Sequence, residues 1–501
     1  MPALIAALAR HAAVRPTQPA LSDGVHQVDY GAAYRLVREL AVAICGRRPA
    51  RIGLALDNGP SWLLLDLACL AAQVPCVAVP GFFSPRQQAH LIRDSEVELL
   101  MTDRPAFYAE ILAAEGLLAE GPVQFDVGDA RLAQLVLQRR DRNALPPRTA
   151  KITYTSGTTG APKGVCLDGD TLARVAQSLV TACELDHEDR HVSLLPLATL
   201  LENAGAYAML LAGATCIMPP TAEIGLPVTA AFDCERMLQQ VARHRPTTAI
   251  ATPQMVDGVM QLLETGAAPL ESLRFLAVGG APVPASLVDG AASVGLPLYQ
   301  GYGLTECASV VTLNTPASNR RGSVGRPLPH ASVSLAPDGE VLVCGAAPLG
   351  YCGSAADMPE VWPTGDFGYM EDGYLYLTGR KKNIFITSFG RNVAPEWVEC
   401  ELTGTRAIRQ AWVYGEGRPW NAAVVTPARG SSFAEIDAAI SGVNATLPPY
   451  ARILAWIPSF CPFSYSNGEL TANGRLCRDV LLAHYRPRID QMYKEIPAHV
   501  L

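Results

Sequence analysis

Between residue 50 and about residue 310 the chain alternates short apolar runs with stretches of helical spacing, and no other feature narrows its fold as much. Runs at 51–56, 76–79 and 98–101 read as buried strands, while 61–72 and 85–93 carry apolar residues three and four apart, as helices do. The same beat returns with strands expected at 151–155, 192–197, 215–218, 248–251, 274–278 and 297–300. Such alternation predicts an α/β class: doubly wound, mostly parallel sheets covered by helices on both faces. In these sheets ligands bind beyond the carboxyl ends of the strands. Past Arg321 the beat shortens to alternating strands at 332–335, 340–344 and 373–377, joined by turns such as Pro337-Asp338-Gly339, which predicts a small antiparallel region. After Gly379-Arg380-Lys381-Lys382 a mixed unit follows, with strands at 384–387, 411–414 and 421–425 and helices at 395–402 and 433–441. It is long enough to be a separate α+β domain.

The 501 residues exceed what one core organises, and 49% apolar with 17% charged residues suits a folded enzyme. Forty basic and 47 acidic residues are mixed along the chain for a net charge of −7, so no basic face offers itself to nucleic acid. Any phosphate must be held locally. The thirteen cysteines lack a C-x-x-C pair or a regular framework, which predicts reduced thiols and a cytoplasmic protein. The opening residues 1–11 have helical spacing without a basic leader, and are expected to form a surface helix rather than an export signal. The greasiest stretch, 62–83, is broken by Asp66, Gln73, Pro75 and Pro80, so no transmembrane segment is expected. Peripheral membrane contact stays open.

The segment 152–165, Ile-Thr-Tyr-Thr-Ser-Gly-Thr-Thr-Gly-Ala-Pro-Lys-Gly-Val, carries the chemistry. In it Thr155, Ser156, Thr158 and Thr159 offer hydroxyls, Gly157 and Gly160 let backbone N–H groups approach an anion, and Lys163 supplies a point charge. A polyphosphate fits such a loop. It is not a Walker sequence, because Pro162 stands where that motif needs a backbone donor. His187-Glu188-Asp189-Arg190-His191 matches H-E-x-x-H, but the apolar run behind it reads as a strand, and two histidines share a zinc only from one helix face.

The 152–165 string resembles the phosphate-loop signature of the adenylate-forming (AMP-binding) superfamily. Tyr299-Gln300-Gly301-Tyr302-Gly303-Leu304-Thr305-Glu306 resembles its second signature, Thr364-Gly365-Asp366 its third, Gly379-Arg380-Lys381-Lys382 its hinge and 470–478 its last. They come in the family's order over nearly the whole chain, most like the long-chain fatty acyl-CoA synthetases. The resemblance implies a domain of residues 1–380 holding the ATP and acid sites, and a small mobile domain of 381–501 turning at Lys382. It implies that Tyr302, beside Gly303 and helped by the backbone of Gly280, Ala281 and Pro282, stacks on adenine. Asp366 accepts the ribose hydroxyls with Arg380 nearby. Thr305 and Glu306 face the α-phosphate and its Mg²⁺, with Thr155 as a second oxygen toward the metal. Arg475 stands where lysine is more usual and bridges the acid's carboxylate and the α-phosphate, as a guanidinium can do bidentately. Gly390 borders the pantetheine channel.

The activity so implied is the ATP-dependent conversion of a carboxylic acid to its acyl adenylate, then transfer to coenzyme A. Small residues at 197–205, 277–281 and 299–303 suggest an open apolar channel for a medium- or long-chain fatty acid, with Thr199 where many relatives have a ring. Two other readings stand beside it: a ligase that loads the phosphopantetheine of an acyl carrier protein or adenylates an unusual small acid, and a catalytically impaired nucleotide-binding protein.

Overall fold

The computed structural model describes residues 1–138, 144–155, 162–226, 232–354, 358–464, 466–471 and 474–495. Among these, two large sheets dominate the N-terminal domain. In one, Leu298–Tyr302, Phe275–Val278, Thr248–Ala251, Arg190–Val192, Thr215–Ile217 and Pro19–Ser22 lie side by side and parallel, with antiparallel strands at either edge. In the other, Thr149–Thr155, Cys76–Ala78, Ile52–Ala55 and Leu99–Thr102 form a parallel centre. Antiparallel hairpins flank that centre: Leu118–Val127 with Ala130–Leu137 on one side, and Lys163–Asp168 folded back on Thr149–Thr155 on the other.

Helices from the two sheets share one core, in which Leu4, Trp62, Val175 and Leu210 belong to a single apolar cluster. The Pro60–Ala72 helix lies at its centre, with Leu63, Leu64 and Leu67 almost wholly excluded from solvent. Its one acidic residue, Asp66, is only 2% exposed, and it is answered from two other elements. Lys151 Nζ sits 2.8 Å from Asp66 Oδ1 and donates to Asn203 Oδ1 at 2.6 Å, while the Tyr207 hydroxyl donates to Asp66 Oδ2. The ammonium also lies about 5 Å over the rings of Trp62 and Tyr207. A buried ion pair is tolerable when its remaining hydrogen-bonding capacity is met in this way.

Four antiparallel strands, Ser332–Leu335, Glu340–Cys344, Val361–Glu371 and Tyr374–Arg380, then form the expected small sheet. The C-terminal domain is α+β. Its Ile408–Tyr414, Asn421–Pro427 and Ile453–Pro458 strands pack with the Pro395–Thr403 and Phe433–Thr446 helices around Val398, Val425 and Ile436.

Several expectations need correction. The Ala3–Val14 helix is no mere surface element, because Leu4, Leu8 and His11 are buried against the core. The strand expected at 192–197 is instead Arg190–Val192, and Leu194 to Leu197 is irregular chain held by side chains. The Leu118–Val127 hairpin strand went unread because Glu120, Gly121 and Pro122 interrupt its apolar residues and most of it faces solvent. Every described cysteine is unpaired, and no described helix is long and apolar enough to cross a membrane. His191 is 3% exposed and bonds Thr248 Oγ1 at 3.0 Å and Glu202 Oε1 at 2.9 Å, so it serves the core between two elements.

Burial lowers the pKa of His330 from 6.5 to about 4. Below pH 6.5 the unfolded chain therefore gains a proton at His330 that the native chain refuses. Stability is unaffected by this group above 6.5 and falls as pH drops toward 4. Urea unfolding between those pH values should show a shallower loss for His330→Gln than for the parent; parallel slopes would remove His330 from the acid response.

Candidate active site

Strand ends build the site. Thr149–Thr155 delivers Thr155 to the rim of a long cleft, and Lys163 opens the return strand directly opposite it in the ladder. A strand paired antiparallel with the one before it therefore follows the phosphate-type segment, where a Walker loop leads into a helix. Ser156, Gly157, Thr158, Thr159 and Gly160 lie outside the described residues.

Phe275–Val278 runs out into Gly279 and Gly280, and Leu298–Tyr302 into Gly303 and the short turn Thr305–Cys307. Glycine is required at Gly303, where a Cβ would fall 1.6 Å from the Ser309 carbonyl oxygen. Gly280 has φ +82°, a conformation that glycine adopts freely. Gly280, Ala281, Pro282, Gly303, Thr305 and Glu306 all line the cleft.

Asp366 sits within the Val361–Glu371 strand and is 4% exposed. Tyr302 donates its hydroxyl to Asp366 Oδ2 at 2.7 Å, and Arg380 Nε lies 2.8 Å from Oδ1. The Tyr302 ring packs among Cys307, Val311 and Val341 and also lines the cleft, and burial raises its pKa. The structure thus joins Tyr302, Asp366 and Arg380 into one fixed triad.

The C-terminal domain contributes Lys382 and Arg475 to the same cleft. Arg475 Nη2 donates to the Gly280 carbonyl at 3.1 Å. Burial lowers the pKa of Arg475, with Arg380 adding to the effect and Asp366 and Glu306 opposing it. Lys382 is likewise lowered, first by burial and then by Arg380 and Arg475. Mutually repelling cations facing two carboxylates favour an occupant rich in negative charge. Gly390 does not join them: it lies in the turn between Phe385–Ile386 and Asn392–Val393, with φ +71°, away from the cleft lining.

Two site residues escaped the sequence reading. Tyr351 places its ring 5.9 Å from Lys163 Nζ and its hydroxyl 3.4 Å from Glu306 Oε1, and burial followed by Glu306 pushes its pKa up to about 12. Glu340 accepts from the Gly365 backbone at 2.9 Å and from Lys381 Nζ at 2.8 Å, bracing the strand that carries Asp366. Neither belongs to a motif, and only the sheet pairing brings them near. For Mg²⁺ the available donors are oxygens, Glu306 and Thr155; this suits an ion that takes one or two protein oxygens and completes its shell with phosphate and water.

A two-domain α/β enzyme with an anion-seeking cleft between its domains is the class that this fold and site define. A family model described as AMP-binding enzyme matches residues 8–348, and one described as AMP-binding enzyme C-terminal domain matches 382–497. The chain belongs to the AMP-binding enzyme family. Indoleacetate–CoA ligase of Aromatoleum aromaticum is 30% identical over 84% of this chain and 87% of its own length. Long-chain-fatty-acid–CoA ligase FadD15 of Mycobacterium bovis is 26% identical over 87% of this chain and 86% of its own. The crystal structure of the anthranilate CoA ligase AuaEII in complex with anthranoyl-AMP superposes with a TM-score of 0.81, covering 97% of this chain and 98% of that one, and at 20% identity it attests the fold.

Gly303→Ala is expected to abolish ATP–pyrophosphate exchange and to cost at least about 2 kcal/mol of stability through overpacking. Thermal melting and exchange measured together test this, and an unperturbed melt would mean that the turn relaxes to admit a methyl group.

Proposed function

We propose that this protein joins a medium- or long-chain fatty acid to coenzyme A through an acyl adenylate. The class is that of its family: the enzyme is an AMP-forming acid–thiol ligase that uses ATP, Mg²⁺ and coenzyme A. The acid is the finer reading, and the lining of the cleft supports it. That lining includes Gly205, Ala208, Ala277, Gly279 and Ala281 among the small residues and Leu179, Cys183 and Met209 among the apolar ones, which suits an apolar acyl chain. Ala198 and Thr199 stand at its side.

The carboxylate attacks the α-phosphorus and pyrophosphate leaves; the thiol then displaces AMP from the acyl carbon. In the first step Lys163 and the 155–160 loop take the charge of the leaving pyrophosphate, and Glu306 with Thr155 would hold the metal that neutralises phosphate oxygens. Asp366, kept in place by Tyr302 and Arg380, accepts the ribose hydroxyls, with adenine against Tyr302 and the Gly280–Pro282 backbone. Arg475, oriented by its bond to Gly280, meets the carboxylate and α-phosphate together. The single observation that carries this reading is the reach of Arg475 from the small domain to the Gly280 carbonyl, because it closes the cleft around the place where the two reactants meet. We place the domain boundary between Arg380 and Lys381. A turn of the small domain at Lys382 would withdraw Arg475 and bring Gly390 toward the thiol channel for the second step.

An aryl acid is a second reading, favoured by the relative named for indoleacetate, which is more similar in sequence than the one named for fatty acids. A carrier-protein phosphopantetheine is a second acceptor.

AMP release measured across fatty and aryl acids, with coenzyme A or a phosphopantetheinylated carrier, separates these readings. The fatty acids with coenzyme A should give the highest kcat/KM, and a preference for aryl acids by tenfold or more would overturn the chain-length reading. Arg475→Ala should lose about 10²- to 10³-fold in adenylate formation while still converting supplied acyl adenylate to thioester. Equal losses in both half reactions, resolved by rapid quench, would deny Arg475 its role. Absence of exchange in the parent with every acid, ATP binding intact, would leave a nucleotide-binding protein without this chemistry.

A further inference from the structure

Arg475 is carried by a tight turn that needs an anchor of its own. Within the turn, Thr471 N donates to the Arg475 carbonyl at 2.7 Å, and Arg475 N donates to Thr471 Oγ1 at 3.1 Å. A bridge between Leu470 and Leu476 closes its base. Three residues beyond Arg475, at the start of the Arg478–Glu495 helix, Arg478 meets Glu399 in a bidentate pair, Nη1 to Oε1 at 2.8 Å and Nη2 to Oε2 at 2.6 Å. Glu399 is 7% exposed and accepts as well from Val413 N at 2.8 Å. Arg478 Nη2 also lies 3.6 Å from Glu396 Oε1, and the same Glu396 oxygen accepts from the Asn383 side-chain amide. Asn383 adjoins Lys382. Glu396 and Glu399 stand on one turn of the Pro395–Thr403 helix, the first helix after the proposed hinge.

We infer that Asn383, Glu396, Arg478 and Glu399 form a polar chain that fixes the Arg475 turn to the hinge, so that the reactive cation and the pivot move as one rigid piece. The inference rests on the role proposed above for Arg475. Its physical basis is the planar fork of Arg478: two parallel bonds to a buried carboxylate set direction as well as distance, which a single ammonium contact does not. Arg478 and Glu399 lie along the same cleft, but neither is among the groups assigned above to the acid or the nucleotide, and both act on the reaction through Arg475. They are positioning residues.

The test separates positioning from mere support of the fold, since adenylate formation uses Arg475 and thioester formation does not. Glu399→Gln keeps the shape and loses the charge, and Arg478→Lys keeps the charge and loses the fork. Each variant of the full-length enzyme should lose roughly 10- to 100-fold in ATP–pyrophosphate exchange, the loss a misplacement of about 1 Å brings. Conversion of supplied acyl adenylate and coenzyme A should stay within about twofold of the parent. Combining either change with Arg475→Ala should add little, because both act through one group. Parallel loss of both half reactions, or undiminished exchange in Arg478→Lys, would overturn the inference. Arg475→Ala with normal exchange would overturn it from the other side, by showing that the reading of Arg475 had failed. Should Glu399→Gln not fold, Arg478→Lys and Glu396→Gln carry the same comparison.

Discussion

The buried pair of Lys151 and Asp66 is the constraint on which the rest of the large domain depends. A charge so far from water is tolerated only because three elements converge on it: the Pro60–Ala72 helix with Asp66, the Thr149–Thr155 strand with Lys151, and the Leu200–Ala212 helix with Asn203 and Tyr207. The strand ends at Thr155, on the rim of the cleft, and the helix begins at Leu200, just past Thr199, also on the cleft lining. One ammonium thus ties together two elements that both end on the cleft. Leaving either charge alone would cost several kcal/mol, which makes the arrangement a demand of the fold as much as of the chemistry.

Around that fixed frame the site uses close backbone approach more than large side chains. Gly303 runs against the Ser309 carbonyl, Gly279 would meet Gly301 if it carried a Cβ, and Gly280 offers its carbonyl to a residue almost two hundred positions away. Asp366 is rigid for a different reason: it is buried in a strand, bonded on both oxygens, and braced from behind by Glu340 through Gly365. Preorganisation of this kind suits a reaction in which the protein supplies no nucleophile and works by placement and charge.

Much of this could be read from the residues alone, because glycine and hydroxyl runs carry a specific physical meaning. The string at 152–165, the Asp366 and Arg380 signatures and the α/β beat all announced themselves. What stayed hidden depends on pairing between distant segments. Tyr351 has no motif and reaches Glu306 only because Gly350–Tyr351 pairs with Lys163–Asp168. The Leu118–Val127 strand is broken by Glu120, Gly121 and Pro122 and does not look like sheet, and the 192–197 run looked like a strand although Asn58 and Glu202 hold it as irregular chain. Apolar runs announce burial; they do not say whether backbone or side chains satisfy the peptide groups.

The arginine at position 475 has a consequence for the conditions under which the cleft keeps a positive charge there. Its surroundings discourage a proton, since the side chain is desolvated and faces Arg380. An amine begins from a much lower basicity and in such company would be drawn toward neutrality under mildly alkaline conditions. A guanidinium begins high enough to stay cationic throughout the range in which proteins remain folded. The chain has thereby exchanged the compact reach of an amine for a charge that alkali does not switch off.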